Sequence, residues 1–514
     1  MNNSRTKKSF FIMITSGIRQ ILTILLAFVS RTVFIYVLGA EYLGLNGLFS
    51  NILQILSLSE LGIGTAISFY LYKPLANNDI ERIKSLMYFY KNCYRIVGLS
   101  MIAIGCIIMP FLRYLVKFDS DIPVNIYIVY MLYIMNSACS YLFFAYKQMV
   151  MIANQEAYKI EKINIFFSFL NCIVDIIVLI LFRNYIVYLA IKVCMVLIKN
   201  YVVSLKVDKQ YPYILDKDVK KLDRMELGSI FKNVGNVTLF RVGSTLFNST
   251  DNVIISMLLG TIVVGYYSNY YMILSQITIV VGIIVNSFSA GIGNVIAKDS
   301  KQKQYAIFKE IDFIVYFLVN IGTVCACQVF NSFMKIWLGN INNGYILTQQ
   351  VVVLLSINFY MDSTTQIMNS FREGSGHFET GKLLQLVGGI VNIILSIVLG
   401  IMYGITGIFL ATVISKGFIT IVPFLIGISE NVFAIGKYKL LFRYVKQFAV
   451  MIIGMILSWY MCKFIHMTGI FGMIAEFIIS CIISVLMVLL FFHKTEEMKL
   501  LINRIKKIKA RGRE

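Results

Sequence analysis

The stretch RTVFIYVLGAEYLGLNGLFSNILQILSLSELGIGTA, residues 31–66, determines how the rest of the sequence is interpreted. It contains the end of one apolar segment, a short turn bounded by Gly39 and Gly44, and a second apolar segment. One charged residue lies on each side of the turn, Arg31 before it and Glu60 after it. Two long apolar segments joined by a tight glycine turn predict a helical hairpin that crosses a membrane twice. We call this stretch the first hairpin.

The composition of the whole chain favours a membrane protein. Of its 514 residues, 58% are hydrophobic and only 14% are charged, and the mean hydropathy is +0.77. This apolar content exceeds what one soluble core can bury, so the bilayer must act as the solvent. The net charge of +21 therefore indicates charged loops beside a membrane, with no nucleic-acid partner. The nine cysteines lie mostly in apolar runs and are interpreted as small hydrophobic residues.

A helix needs about 20 apolar residues to cross the hydrocarbon core, which predicts about fourteen spans in this chain. With the N-terminus in the cytoplasm, the inner loops hold about 36 of the 47 lysines and arginines, and the outer loops hold about four. This alternation predicts that both termini are cytoplasmic. The first span lacks a cleavage site and is expected to be retained. The predicted spans are 11–38, 45–72, 90–112, 124–146, 163–182, 186–205, 233–258, 266–294, 308–330, 349–371, 383–403, 407–428, 447–464 and 473–492.

A second copy of the glycine turn indicates an internal repeat. Val37–Gly44, VLGAEYLG, matches Leu258–Gly265, LLGTIVVG, and both contain two glycines five positions apart. A weaker match relates CIVDII, which contains Asp175, to GIVNII, which contains Asn392. Two matches in the same order at nearly the same offset indicate a duplication. Because each copy has an even number of spans, the two copies are expected to have the same orientation in the membrane.

The longest inner loop, residues 206–232, is the strongest candidate for a domain boundary. We expect an N-lobe at 1–215 with spans 1–6 and a C-lobe at 216–430 with spans 7–12. Spans 13 and 14 follow at 431–492, and a basic cytoplasmic tail covers 493–514. The tail fits an amphipathic helix on anionic membrane lipids, and it fits equally well the ordinary enrichment of positive charge at the inner face.

Polar and ionisable side chains inside predicted spans are the candidate site residues, because they are costly in a bilayer and usually face a cavity. Arg19 in span 1 and Arg241 in span 7 precede the two glycine turns by nearly the same distance, each on a polar helical face. The candidates for binding cargo in a cationic cavity are Arg19, Arg31, Arg241, Lys192, Asn248 and Asn358. The candidates for coupling to an ion or a proton are Glu60, Asp175, Asp251 and Asp362. For each single charge the alternative is a structural hydrogen bond or ion pair between helices.

The cationic residues predict the chemistry of the cargo. The planar guanidinium of arginine suits phosphate groups and stays charged at any relevant pH. A path lined by arginine and by small hydroxyl and amide side chains therefore favours an anionic, hydroxyl-rich cargo such as a phosphate-linked sugar.

The sequence gives no sign of catalysis. Residues 376–382, GHFETGK, resemble a phosphate-binding loop, but Leu383 stands where a serine or threonine is required and no strand precedes the loop. No nucleophile triad, acidic pair or metal-ligand cluster is evident. We therefore expect a transporter that is not an enzyme and has no cofactor or metal, with two halves that rock about a central site.

The first hairpin, followed by LYKPLA at 71–76, resembles the polysaccharide-transporter branch of the multidrug/oligosaccharidyl-lipid/polysaccharide (MOP) exporter superfamily, and the outer loop with Trp337-Leu338-Gly339 fits the same branch. This branch contains the repeat-unit flippases for O-antigen, capsule and related glycans. The resemblance implies an all-α integral membrane fold: two parallel six-helix repeats that form V-shaped lobes like those of MATE transporters, plus two extra helices.

The same resemblance implies a cargo and a location. The cargo is an undecaprenyl-diphosphate-linked oligosaccharide repeat unit, moved from the inner to the outer leaflet of a bacterial cytoplasmic membrane for surface polysaccharide biosynthesis. The expected partners are membrane lipids and the polysaccharide polymerase and glycosyltransferases of the same pathway. In related lipid II flippases, arginines on spans 1 and 8 are thought to engage the diphosphate. Arg19 and Arg31 match span 1 by position, whereas span 8 has no basic residue before Lys298.

Two other functions stay open on the sequence. A multidrug or cation antiporter of the same fold is kept in play by Asp175 and Glu60, although the arginines count against it. A membrane glycan polymerase or ligase is the less favoured alternative, because such proteins usually need a sizeable outer loop and the predicted outer loops are short.

Overall fold

The computed structural model describes residues 2–57, 63–117, 124–154, 156–216, 219–220, 222–377, 379–465 and 467–499. Side chains are described from Gln20 onward, apart from those of several helical positions that include Arg241 and Asn248. Glu60 and the basic tail from Leu500 onward lie outside the described residues.

The chain divides into two compact units, Met1–Ser268 and Asn269–Glu514. The first unit contains eleven helices and the beginning of a twelfth. They are α1 (Asn2–Leu38), α2 (Ala40–Leu56), α3 (Ile63–Asn77), α4 (Ile80–Ile108), α5 (Leu112–Leu115), α6 (Ile126–Leu142), α7 (Gln148–Ala153), α8 (Ala157–Phe182), α9 (Tyr185–Gln210), α10 (Arg224–Ser249), α11 (Asp251–Leu259) and the start of α12 (Thr261–Lys298).

The second unit contains the rest of α12 and six further α-helices. They are α13 (Lys301–Leu338), α14 (Gln349–Gly374), α15 (Lys382–Ile414), α16 (Val422–Gly427), α17 (Lys439–Cys462) and α18 (Gly469–Phe492). Two π-helical segments, Ser415–Ile421 and Ile428–Val432, flank α16. The predicted lobe boundaries at 215 and 430 remain predictions.

The described secondary structure is entirely helical, and the prediction of an all-α membrane protein is confirmed. Within the described residues, ten helices are long and apolar enough to cross a membrane. The number is eleven when Ile126–Leu142 and Ala145–Ala153, bent by 44° at their junction, are counted as one span. Helices dominate because a spanning segment must satisfy its backbone hydrogen bonds internally.

Every predicted span overlaps described helix, and three locations account for the difference between eleven and fourteen. Predicted span 2 is divided between α2 and α3, on either side of residues outside the description. Predicted span 7 is divided at Thr250 between α10 and α11. Predicted spans 11 and 12 belong to one apolar run, Leu383–Val432, whose helix is interrupted at Gly404, with φ 62° and ψ −143°.

In the first unit, a core of large apolar side chains lies where α3, α4 and α7 meet. It includes Ile67, Leu86, Tyr90 and Val150, all buried. In the same unit α1 packs along α8, and α6 packs against both α4 and α9. These contacts position α1, α2 and α9, which carry the charged residues described below.

In the second unit, α13 is buried between α14 and the last two helices, α17 and α18. Polar side chains join these helices: the amide of Asn320 donates to Ser484 Oγ at 2.8 Å, and the hydroxyls of Ser458 and Ser480 are 2.8 Å apart. Small and polar residues of this kind stabilise helix pairs in lipid, where apolar surface alone gives no preference for protein over lipid.

Candidate functional site

The two glycine turns predicted to be copies of each other have the same backbone conformation. Gly39, between α1 and α2, has φ 90° and ψ −177°, and Gly260, between α11 and α12, has φ 96° and ψ 164°. This region of φ is accessible to glycine and strongly disfavoured for other residues. Each turn therefore requires its glycine, which supports the predicted duplication.

The predicted turn 39–44 is shorter in the structure, because α2 begins at Ala40 and Gly39 alone joins α1 to α2. Gly44 and Gly265 lie near the beginnings of α2 and α12, and each faces the start of the other helix. A Cβ added at Gly44 would lie 1.8 Å from the carbonyl oxygen of Thr261, and one added at Gly265 would lie 2.1 Å from that of Ala40. Ala40 and Thr261 each directly follow the first glycine of their turn, so the contact is reciprocal. Reciprocal contact between equivalent residues is the signature of a two-fold axis. We call this backbone contact the glycine seam.

Three polar contacts surround the glycine seam. The Arg31 guanidinium donates from Nη2 to Ser268 Oγ at 2.8 Å. The amide of Asn252 donates to the carbonyl oxygen of Gly47 at 3.4 Å, and the Thr261 hydroxyl lies 3.5 Å from the carboxylate of the buried Glu41. Arg31, predicted to bind cargo, is thus held between α1 and α12 in this structure.

A second group of charges joins α1, α8 and α9. Asp175, which is buried, accepts a hydrogen bond from Ser30 Oγ at 3.2 Å, and Lys192 Nζ lies 3.5 Å from the same carboxylate oxygen. The Lys192 ammonium is also 4.6 Å from the centre of the Tyr188 ring, a cation–π contact. Its side chain remains 41% exposed, so the ion pair holds the lysine without enclosing it.

A chain of tyrosines lies beside these charges, and sequence reasoning missed it. The Tyr133 hydroxyl bonds to Asn46 Oδ1 and lies 3.0 Å from the Tyr185 hydroxyl, so it links α2, α6 and α9. Phe34 meets Tyr185 and Tyr188 edge-on. The signal available in the sequence was the pair of tyrosines three positions apart at the start of predicted span 6, which place two rings on one helical face.

The second unit contains its own intramembrane ion pair. Lys416, which is buried, donates to both carboxylate oxygens of Asp362, at 2.8 and 3.0 Å. Lys416 lies in the π-helical segment Ser415–Ile421, and π-helical turns often occur at functional sites. Asn358, one turn before Asp362 on α14, is buried, and its Oδ1 has no hydrogen-bond partner among the described residues.

Asp175 and its predicted repeat partner, Asn392, make different contacts. Asp175 on α8 pairs with Lys192 on α9, whereas its repeat partner Asn392 on α15 donates an amide hydrogen bond to Thr412 Oγ1 at 3.1 Å. In each predicted copy this polar side chain joins the fifth span of that copy to the sixth. Asp175 therefore has a structural role in joining two helices. The first predicted copy makes this connection with a charged pair, and the second makes it with a neutral pair.

The remaining predicted site residues are placed as follows. The backbones of Arg19, Arg241 and Asn248 lie in α1 and α10, but their side chains are outside the described part of the structure, as is the whole of Glu60. Asp251 is buried at the start of α11. Within the described part, the structure brings Asp175 together with Lys192, and Asp362 with Lys416, a lysine that sequence reasoning left unassigned.

The fold is similar to that of several solved transporter structures. The structure of lipid II flippase MurJ in an inward closed conformation covers 94% of this chain and 99% of its own, with a TM-score of 0.67 and 13% sequence identity. The inward-facing conformation of a MATE family multidrug resistance transporter of the MOP superfamily covers 79% of this chain and 93% of its own, with a TM-score of 0.59 and 16% identity.

A third structure, a MOP superfamily transporter from Pyrococcus furiosus, covers 82% of this chain and 94% of its own, with a TM-score of 0.51 and 14% identity. That transporter is described as having a binding pocket of reverse polarity that suggests a different function. At such identities the similarity establishes the fold alone. No protein-family model and no curated protein matches the sequence.

Proposed function

We propose that this chain is a flippase that moves undecaprenyl-diphosphate-linked oligosaccharide repeat units from the inner to the outer leaflet of a bacterial cytoplasmic membrane, for surface polysaccharide biosynthesis. The observation that carries the proposal is the match to the lipid II flippase over 94% of this chain. The MATE family match covers 79%. The flippase match thus covers a larger share of this chain than the multidrug transporter match does.

The charges of the first unit support an anionic cargo. Arg31 donates a hydrogen bond to Ser268 Oγ, and the Lys192 side chain remains 41% exposed beside Asp175. A diphosphate would meet the Arg31 guanidinium, which stays charged at any relevant pH, and the Lys192 ammonium group. We propose that Arg31 and Lys192 engage the diphosphate, together with Arg19, Arg241, Asn248 and Asn358 of the predicted cavity.

Alternating access gives the glycine seam a role in this mechanism. The seam joins the first turn, in the proposed N-lobe 1–215, to the second turn, in the proposed C-lobe 216–430. Both turns are predicted at the outer face. We propose that the seam closes the outer side and separates when the cargo leaves, because rocking of two repeats about a central site requires one end to open while the other closes.

The second candidate is a multidrug or cation antiporter of the same fold. The observation that favours it is the presence of the intramembrane carboxylates Asp175 and Asp362, which could bind a proton, a metal cation or a drug cation. Each of these carboxylates is held by a lysine in this structure. A cationic cargo would therefore have to displace an ammonium group, whereas an anionic cargo would be attracted by it.

The test is made in cells that lack the gene. We expect such cells to lose surface glycan and to accumulate lipid-linked repeat units that face the cytoplasm, and we expect the wild-type gene to restore both. Double substitution of Arg31→Gln and Lys192→Gln should fail to restore the glycan at equal protein level. Normal surface glycan in the deletion strain, together with increased sensitivity to cationic drugs, would favour the antiporter.

A further inference from the structure

Helix α4 carries four basic residues near its N-terminus, and two of them are neutralised by carboxylates. Arg82 makes two hydrogen bonds to the Glu226 carboxylate, of 2.8 and 2.5 Å. Lys84 Nζ lies 2.7 Å from Asp216 and 3.1 Å from Glu81. These pairs attach the segment that leads from α9 into α10 to the beginning of α4.

The other two basic residues, Lys91 and Arg95, form no ion pair with a carboxylate in the part of the chain that the structure describes. They are one helical turn apart, a spacing at which like charges repel each other. Lys91 lies over the Tyr146 ring at 5.9 Å from its centre. It is also within electrostatic reach of Arg95 and of a third cation, Lys147.

The third cation, Lys147, is neutralised by a carboxylate of its own. This lysine is 5% exposed, and its Nζ donates to both oxygens of Asp208, at 2.7 and 2.6 Å, and to Ser204 Oγ at 2.8 Å. The charge of Asp208 is therefore already paired with that of Lys147. Lys91, Arg95 and Lys147 together have one carboxylate, so two positive charges are left uncompensated by described groups.

The position of the pair on α4 indicates the depth at which it lies. Residues 96–112 directly after Arg95 contain no charge, so Arg95 marks the point where the apolar part of the helix begins. Ile96 and Leu99 are 67% and 60% exposed and continue the surface on which Arg95 is exposed. Tyr88, two turns before Arg95, is exposed as well. A basic side chain and a tyrosine beside an exposed apolar surface are typical of the lipid headgroup region.

We propose that Lys91 and Arg95 form a phosphate-binding site for a membrane lipid at the predicted inner leaflet. The lipid phosphate lies between the two cations, and its apolar chain lies along Ile96 and Leu99. Basic pockets between membrane helices bind the headgroups of anionic lipids in this way. Two excess charges match two phosphate groups, which occur both in cardiolipin and in a prenyl diphosphate. The site is separate from the residues proposed to bind cargo and does not depend on the proposed function.

The test measures which lipids stay bound to the full chain, and how many, when it is reconstituted in nanodiscs. The nanodiscs contain phosphatidylcholine alone, or phosphatidylcholine with cardiolipin or with undecaprenyl diphosphate, and native mass spectrometry counts the lipids that stay bound. For Lys91→Gln with Arg95→Gln we expect an affinity lower by about 30-fold, which corresponds to about 1 kcal/mol for each cation at an anionic surface. Exchange of the two residues, Lys91→Arg with Arg95→Lys, should preserve binding.

The matched control is Arg82→Gln with Lys84→Gln, which removes the same charge from the same helix at two neutralised positions. Equal retention by the wild type and the Lys91/Arg95 variant would overturn the proposal, and so would an equal loss in the control. Retention of cardiolipin would identify a structural phospholipid, and retention of undecaprenyl diphosphate alone would identify arriving cargo. On the unaltered chain, a photoactivatable form of the retained lipid should label residues 88–99; labelling confined to other helices would contradict the site.

Discussion

Gly44 and Gly265 occupy equivalent positions near the beginnings of α2 and α12, five residues after Gly39 and Gly260, and each contacts the backbone at the start of the other helix. A Cβ on Gly44 would lie 1.8 Å from the Thr261 carbonyl oxygen, and a Cβ on Gly265 would lie 2.1 Å from that of Ala40. No side chain can enter either place without separating the two backbones. The local two-fold relation predicted from a short sequence match is thus visible as a reciprocal contact.

The first prediction concerns this seam. Gly44→Ala and Gly265→Ala should each force the turns apart and destabilise the protein by about 1–3 kcal/mol, as is usual when a methyl group is forced into a packed interface. Gly228→Ala is the control, because Gly228 is also helical and no other group lies within 4 Å of its added Cβ. The measurements are the melting temperature of each purified variant in detergent and then its transport rate. Equal melting temperatures for all three variants would show that the seam is not formed.

The second prediction separates two roles of Arg31. If the guanidinium acts only by bonding to Ser268, then Ser268→Ala and Arg31→Gln should impair transport equally, and their combination should add nothing. We expect Arg31→Gln to be the more severe change, because it also removes a charge that engages phosphate.

The control for this second comparison is Ser275→Ala, since Ser275 lies on the same helix and its hydroxyl bonds to the backbone oxygen of Met272. The measurement is the transport rate of all four variants at equal protein level. Identical rates for Ser268→Ala and Arg31→Gln would assign Arg31 to the seam alone.

The third prediction concerns Asp175 and Lys192. Lys192→Gln leaves the buried Asp175 without its cation, and we expect a loss of about 1–2 kcal/mol. This is less than the 3–5 kcal/mol of a fully buried pair, since the lysine is 41% exposed. The double variant Asp175→Asn with Lys192→Gln removes both charges, leaves no unpaired buried carboxylate and should recover most of that stability. We expect the double variant to lose transport, because it lacks the Lys192 charge. Transport at the wild-type rate would show that the pair is purely structural.

The fourth prediction is a pH dependence outside the membrane. The two hydrogen bonds from Arg82 lower the pKa of the Glu226 carboxyl below its usual value of 4.5. A lowered pKa in the folded state means that the stabilisation is complete above the usual value and is lost as the pH falls through the lowered pKa. The difference in melting temperature between the wild type and Glu226→Gln should therefore be constant from neutral pH down to about 5 and should shrink only below about 4. A difference that already shrinks near pH 6 would contradict the assignment.

The fold was largely predictable from the sequence, because the bilayer imposes simple requirements. Apolar runs of sufficient length and the alternation of charge between loops indicated helices at every predicted span. The breaks inside spans were harder to predict. The division between α10 and α11 at Thr250 has no proline or glycine to mark it, and the break at Gly404 lies in an apolar run that contains several other glycines.

The candidate site was only partly predictable, for a different physical reason. Helical periodicity shows which residues of one helix share a face, and it indicated that Asp175 and Lys192 were membrane-embedded. It cannot show which residue of another helix lies opposite, and so the partners Ser30, Ser268 and Lys416 were found only in three dimensions. The tyrosine chain was missed because tyrosines in apolar spans resemble packing residues until their hydroxyl groups are seen to meet.

The most direct test of the central claim is translocation by the purified chain in proteoliposomes. The vesicles carry a fluorescent undecaprenyl-diphosphate-linked oligosaccharide in one leaflet, and a membrane-impermeant quencher reports how much of the label crosses to the other leaflet. We expect the wild-type chain to move the label and the Arg31→Gln, Lys192→Gln double variant to leave it in place. A wild-type chain that leaves the label in place but transports a lipophilic drug cation against its gradient would contradict the account.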